Sequence, residues 1–278
     1  MIFYWGGILM AFFETSDGVK LFFQQKGEGN PIVLIHGWSG DHTAFDPTFN
    51  ELSNKFKVIS YDLRGHGSSE RSEHGLSLKR FATDLEELMA SLELKDVTLV
   101  GHSMGASTIF EYVRNYGVSR LKSVSIFDMT PKLVNDGEWN LGLYHGKYTR
   151  EDAYRDLTQM NEDFLKFAGP FAKTVIPYLT DELLVEYLKV VKGNTPHVMA
   201  AMWHAMAVSD FRDVLPKITV PTQIIYGEKS TLYSKQTAEY IHSQIPNAKI
   251  IPFENCTHIL VAENPVKTTQ VIEEIGQI

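Results

Sequence analysis

The chain of 278 residues has a single cysteine, Cys256. An internal disulfide is therefore excluded and an oxidising compartment gains no support, so a cytoplasmic location is expected. Positive charge is also in short supply: 26 lysines and arginines face 34 aspartates and glutamates, a formal charge of −8 with no basic stripe. Nucleic acid is not an expected partner. The most apolar stretch, MIFYWGGILMAFF at the start, is too short to span a bilayer and lacks the basic end and cleavage site of a signal peptide. Residues 1–11 are expected to be an apolar extension ahead of the core, with no stable membrane insertion. No repeat, linker, metal-ligand cluster or phosphate-binding loop stands out, so neither a metal nor a cofactor is expected.

What is present is a series of short apolar runs ending in turn residues: PIVLIHG, FKVISYD, VTLVGHS, SVSIFDM, TQIIYGE and AKIIPFE. They are rich in Val and Ile and do not alternate with polar residues, as expected of strands buried on both faces. Ahead of them, FFETSDGVKLFFQQKGEG reads as a hairpin turning at Asp17-Gly18. Between the runs lie helical patterns. One carries Leu78, Phe81, Leu85, Leu88 and Leu92, with Ser77 as its N-cap. Strands alternating with helices predict an α/β fold: a mostly parallel sheet covered on both faces.

From about Pro131 to Ser209 no strand is predicted, only helices. Thr149 and Asp152 form a variant capping box, Gly193 is a helix stop, and Pro196 stands at a first helical position. The expected organisation is a core of residues 12–130 and 210–278, with residues 131–209 as a helical lid over a site at the strands' carboxyl ends.

Three motifs carry chemistry. Gly101-His102-Ser103-Met104-Gly105 is G-x-S-x-G between a buried strand and a helix, the context of a nucleophile elbow. In IVLIHGWSGD, Trp38 follows a strand end where its backbone N–H can face the site. Acyl transfer needs two such donors for the oxyanion, and Trp38 and Met104 are the candidates. His36 is read as a buried, loop-organising residue. His258 lies between the last strand and the last helix and is the candidate general base. His66, His74, His145, His197, His204 and His242 read as loop or surface residues, with His204 able to approach substrate from the lid. Cys256 reads as a small buried filler.

These motifs, with YDLRGHGSS and DFRDVLPKITVPTQIIYGEK, resemble the α/β-hydrolase superfamily, and most closely its lidded, single-domain serine esterase and lipase type. The resemblance runs from about Phe12 to the end of the chain. It implies an eight-stranded sheet with the nucleophile after the fifth strand, the histidine after the eighth and the lid between the sixth and seventh. It also implies an acid, which most relatives carry as aspartate in a G-x-x-D pattern after the seventh strand. Here that pattern reads Gly227-Glu228-Lys229-Ser230. Three carboxylates are candidates: Asp128 at the end of the sixth strand, Glu228 at the seventh strand's tip, and Glu254 after the eighth. Asp128 is preferred, because some superfamily members hold their acid after the sixth strand. Ser230 is then an ordinary loop residue.

The expected function is a carboxylesterase acting through an acyl-enzyme on small to medium hydrophobic esters, with Ser103, His258 and Asp128 as a triad. A carbon–carbon bond hydrolase or thioesterase with the same triad, a perhydrolase or haloperoxidase-like activity, and a ligand-binding signalling role stay open.

Overall fold

The computed structural model describes residues 2–278. The apolar runs form one sheet of nine strands: β1 (Ile2–Trp5), β2 (Ile8–Glu14), β3 (Lys20–Lys26), β4 (Pro31–Ile35), β5 (Lys57–Tyr61), β6 (Val97–His102), β7 (Leu121–Phe127), β8 (Thr222–Gly227) and β9 (Ala248–Phe253). Their spatial order is β1-β2-β3-β5-β4-β6-β7-β8-β9. The pairs from β1 to β5 are antiparallel, and every pair from β5 through β4 to β9 is parallel. Every residue of β6 and β8 is buried, which accounts for runs without alternation.

Eight of these strands are the expected ones; the ninth is β1. Trp5 pairs with Ile8, leaving Gly6 and Gly7 as a two-residue turn with φ of +56° and +80°. Positive φ at both central residues is what a tight hairpin asks for, and glycine adopts it at no steric cost. Residues 2–11 therefore run as β1 and the first half of β2, where the sequence reading began the core at Phe12. The overlooked signal is Gly-Gly between two apolar runs.

Helices α1 (Asp46–Leu52), α10 (Leu260–Glu263) and α11 (Pro265–Gly276) cover one face of the sheet. The other face carries α2 (Leu78–Ser91), α3 (Met104–Tyr116) and α9 (Lys235–Gln244). On α2, Leu78, Phe81, Leu85 and Leu88 recur at helical spacing and are buried, and the Ser77 hydroxyl accepts the Arg80 N–H. Each such side chain contributes about 1.5–3 kcal/mol by leaving water.

Between β7 and β8 come the single turn α4 (Leu143–Gly146) and the helices α5 (Arg150–Glu162), α6 (Phe164–Val175), α7 (Asp181–Val191) and α8 (Pro196–Ala207). Thr149 and Asp152 cap α5 reciprocally, and Pro196 opens α8. Val198, Met199, Met202, Trp203 and Met206 of α8 are buried in the same apolar core as α2 and α3. Lys132 and Asp210 form an antiparallel bridge, and Phe211 N–H donates to the Pro131 carbonyl at 2.8 Å. The chain thus leaves and re-enters the core at adjacent points. Among the described residues, no helix is long and apolar enough to cross a membrane.

Candidate active site

Ser103 stands between the end of β6 and the start of α3 with φ +54° and ψ −120°. A non-glycine residue there stores strain of about 1–3 kcal/mol, which persists only where its surroundings over-determine it. Two glycines supply that constraint. A Cβ on Gly101 would lie 2.6 Å from the Ala106 nitrogen, and one on Gly105 would lie 2.2 Å from the Ile35 carbonyl oxygen. Only glycine lets β6, α3 and β4 converge so closely. Ser103 N–H is tied to the Phe127 carbonyl at 3.0 Å, so the turn is also anchored to β7.

His258 lies on the loop between β9 and α10. Its Nε2 is 3.1 Å from Ser103 Oγ and its Nδ1 is 2.7 Å from Asp128 Oδ2. The loop is braced twice. Glu263 accepts the Thr257 N–H and hydroxyl at 2.7 and 2.9 Å, and His102 Nε2 meets the His258 carbonyl at 2.7 Å. Burial pushes the His102 imidazole down to about 3, so it is neutral, with its proton on the Nε2 that faces this carbonyl.

Asp128 follows β7 with φ +44°, and its side chain is fully buried. Oδ2 receives His258 Nδ1 and the Ser230 hydroxyl, each at 2.7 Å, and Oδ1 accepts Gly227 N–H at 3.2 Å. The adjacency of β7 to β6 and β8 brings these groups together. Glu228 is exposed, and among the described residues its carboxylate has no hydrogen bond or ion pair. Glu254 is also exposed and pairs with Lys267 at 2.5 Å. Ser230 departs from the expectation of an ordinary loop residue. It is buried, and its hydroxyl is committed to Asp128.

The loop after β4 passes directly against Ser103: a Cβ on Gly37 would be 3.1 Å from Ser103 Cβ. Trp38 N–H has no acceptor among the described residues, and Met104, as the first residue of α3, has an N–H without an intrahelical partner. The Trp38 indole turns away, donating to the Met199 carbonyl at 2.9 Å. Phe164, Phe167, Phe171 and Trp203 pack edge-on around it with ring centroids 5.1 to 6.2 Å away. His36 bridges the Gly37 carbonyl and Leu63 N–H at 2.8 and 3.0 Å, and burial lowers its pKa. It organises the loop, as its sequence context suggests.

Ser103 and His258 open into a cavity of about 440 Å³, lined from the insertion by Leu143, Phe171, Val175, Trp203 and Met206. Among the described residues, no lysine or arginine lines it. His204 is exposed and lies outside it. Tyr233 also lines it. Burial, with the Asp128 charge adding, holds its phenol protonated, and its hydroxyl donates to Met129 Sδ at 3.2 Å. Among the described residues, Asp41, His42 and Asp62 form the one cluster with metal-ligand types. Their donors are already engaged: Asp62 accepts His42 N–H and Ser68 N–H and meets His42 Nδ1, while Asp41 accepts Thr43 N–H.

The arrangement has counterparts. The family described as "alpha/beta hydrolase fold" matches residues 30–265. A non-heme chloroperoxidase of Kitasatospora aureofaciens is 28% identical over 261 residues, 90% of this chain and 92% of that protein. A pimeloyl-[acyl-carrier protein] methyl ester esterase of Nitrosospira multiformis is 26% identical over 259 residues, 90% of this chain and 95% of that protein. Among solved structures, an esterase from Exiguobacterium antarcticum superposes with a TM-score of 0.88 at 25% identity, covering 96% of this chain and 99% of that one.

Proposed function

The chain belongs to the α/β-hydrolase fold family, and from that premise we propose that this hydrolase is a carboxylesterase for small to medium hydrophobic esters. The observation that carries the proposal is the unbroken line Ser103–His258–Asp128 opening onto an apolar cavity. His258 Nε2 takes the Ser103 proton as Oγ attacks the ester carbonyl. The N–H groups of Trp38 and Met104 hold the oxyanion of the tetrahedral intermediate. His258 returns the proton to the departing alcohol, leaving an acyl-enzyme. Water then repeats the sequence, releasing the acid and restoring Ser103. Asp128 fixes the imidazole tautomer and stabilises the imidazolium.

Substrate class follows from the lining. A cavity of about 440 Å³ is at the lower end of ligand pockets, and walls without a cation favour a neutral acyl chain over an anionic one. Helices α4 to α8 act in this reading as the lid that excludes water. The esterase names of two similar proteins support it. The chloroperoxidase relative favours a second reading, in which peroxide replaces water on the acyl-enzyme and a peracid leaves.

A p-nitrophenyl ester series from acetate to laurate tests the proposal. Hydrolysis is expected to peak at short or medium chains and to drop by at least about 10³-fold in Ser103→Ala. Failure of the wild type on every ester overturns it. Hydrogen peroxide and acetate in place of an ester test the second reading.

A further inference from the structure

We infer that Ser230 is a positioning residue for the acid and that the helical insertion holds it in place through His145. The inference rests on the reading of Asp128 as the acid of an esterase. The direction of the hydrogen bond is fixed by its neighbours. Ser230 Oγ receives the N–H groups of Leu232 and Tyr233, both at 3.3 Å. Its lone pairs are thereby engaged, and its one proton goes to Asp128 Oδ2 at 2.7 Å. That oxygen also receives His258 Nδ1, and Gly227 N–H occupies the other. With three donors on two oxygens, the carboxylate cannot rotate without losing a bond, and the imidazole it steers is held with it.

The Ser230 loop is held in turn from the insertion. His145 Nε2 donates to the Ser230 carbonyl at 2.8 Å, and His145 N–H donates to the Leu232 carbonyl at 3.2 Å. Tyr144 and His145 both sit at positive φ, +54° and +53°, in the turn α4. Two consecutive non-glycine residues in that region are strained. The two bonds to the Ser230 loop are what this conformation secures. A continuous path therefore runs from the lid turn through the Ser230 loop to Asp128 and His258. The lid and the acid share one scaffold.

Two measurements test this, one of them independent of turnover. In Ser230→Ala, kcat on the best ester is expected to fall about ten- to thirtyfold with KM changed less than about twofold. Ser230→Cys, of similar shape but a weak donor, should fall with it. In an Asp128→Asn background, Ser230→Ala should change kcat less than about twofold, because the two act as one unit. His145→Ala should lower kcat about threefold, and its effect should not add to that of Ser230→Ala. The downfield proton NMR signal of His258 Nδ1, read in the resting protein, should survive in Ser103→Ala and shift or broaden in Ser230→Ala and His145→Ala. A signal and kcat unchanged in Ser230→Ala and Ser230→Cys overturn the inference, as does an effect on KM alone. Additive losses overturn the His145 link. A wild type that cleaves no ester but shows these NMR changes overturns the esterase reading alone.

Discussion

The turn after β6 and the loop after β8 both border the proposed reacting centre, yet contact and hydrogen bonding share the work differently in each. At Gly101–Gly105 the shape is enforced by steric exclusion: atoms of α3, of β4 and of His36 just after it leave no room for a Cβ. At Gly227–Ser230 steric closure acts only at the first residue, where a Cβ on Gly227 would lie 2.3 Å from the Thr257 carbonyl oxygen. The rest is held by hydrogen bonds that converge on Asp128 from β8, from the loop itself and from His258. Steric walls act through stability, because filling them displaces the backbone. Converging donors act through orientation, because losing one leaves the chain folded and the imidazole misdirected. The contrast separates what holds the site up from what makes it work.

Three measurements bear on that contrast. Asp128→Asn strikes the hydrogen-bonded side and should lower kcat/KM on esters by about 10⁴-fold with a folded protein, while Glu228→Gln changes it less than about twofold. Equal losses in the two variants would move the acid away from β7. Gly105→Ala strikes the steric side, since its methyl would meet the Ile35 carbonyl carbon and oxygen at 2.8 and 2.2 Å. A loss of about 3 kcal/mol in urea unfolding is expected. Unchanged stability there would dissolve the distinction. The smallest effect concerns His102, whose folded pKa of about 3 lies below the ordinary 6.5. Between those values the unfolded chain binds a proton the native chain refuses. Stability therefore falls as pH drops from 6.5 towards 3, by at most about 1.4 kcal/mol per unit from this residue. His102→Gln, which keeps an N–H for the His258 carbonyl, should lessen the stability lost between about pH 7 and pH 5 by about 2 kcal/mol.

How much of this was legible in the sequence follows the same division. Ser103 and its glycines occupy five contiguous residues, because a steric turn is written where it acts. His258 is marked by its place between the last strand and the last helix. Asp128 is visible only through strand adjacency, which sequence conveys by resemblance and not by spacing. Ser230 was misjudged because its partner is 102 residues away, and a serine in a loop announces nothing. The helices of the insertion were readable from Thr149, Asp152 and Pro196. The hydrogen bond from the Trp38 indole to the Met199 carbonyl was not, since that contact spans 161 residues. Strand β1 was missed for want of reading Gly6-Gly7 as a hinge between strands.

The bridge between Lys132 and Asp210 draws the two ends of the insertion together, so that it closes as a loop at one seam. Loop-closure entropy rises only with the logarithm of length, about 0.6 kcal/mol for each doubling. The connections between the insertion's helices can therefore be lengthened while β7 and β8 keep their register, so long as α4 and α8 keep their contacts with the core. Such a seam behaves like a socket with fixed pins: selectivity can drift in the lining that α6 supplies, while α4 and α8, which reach the Ser230 loop and the core, stay in place.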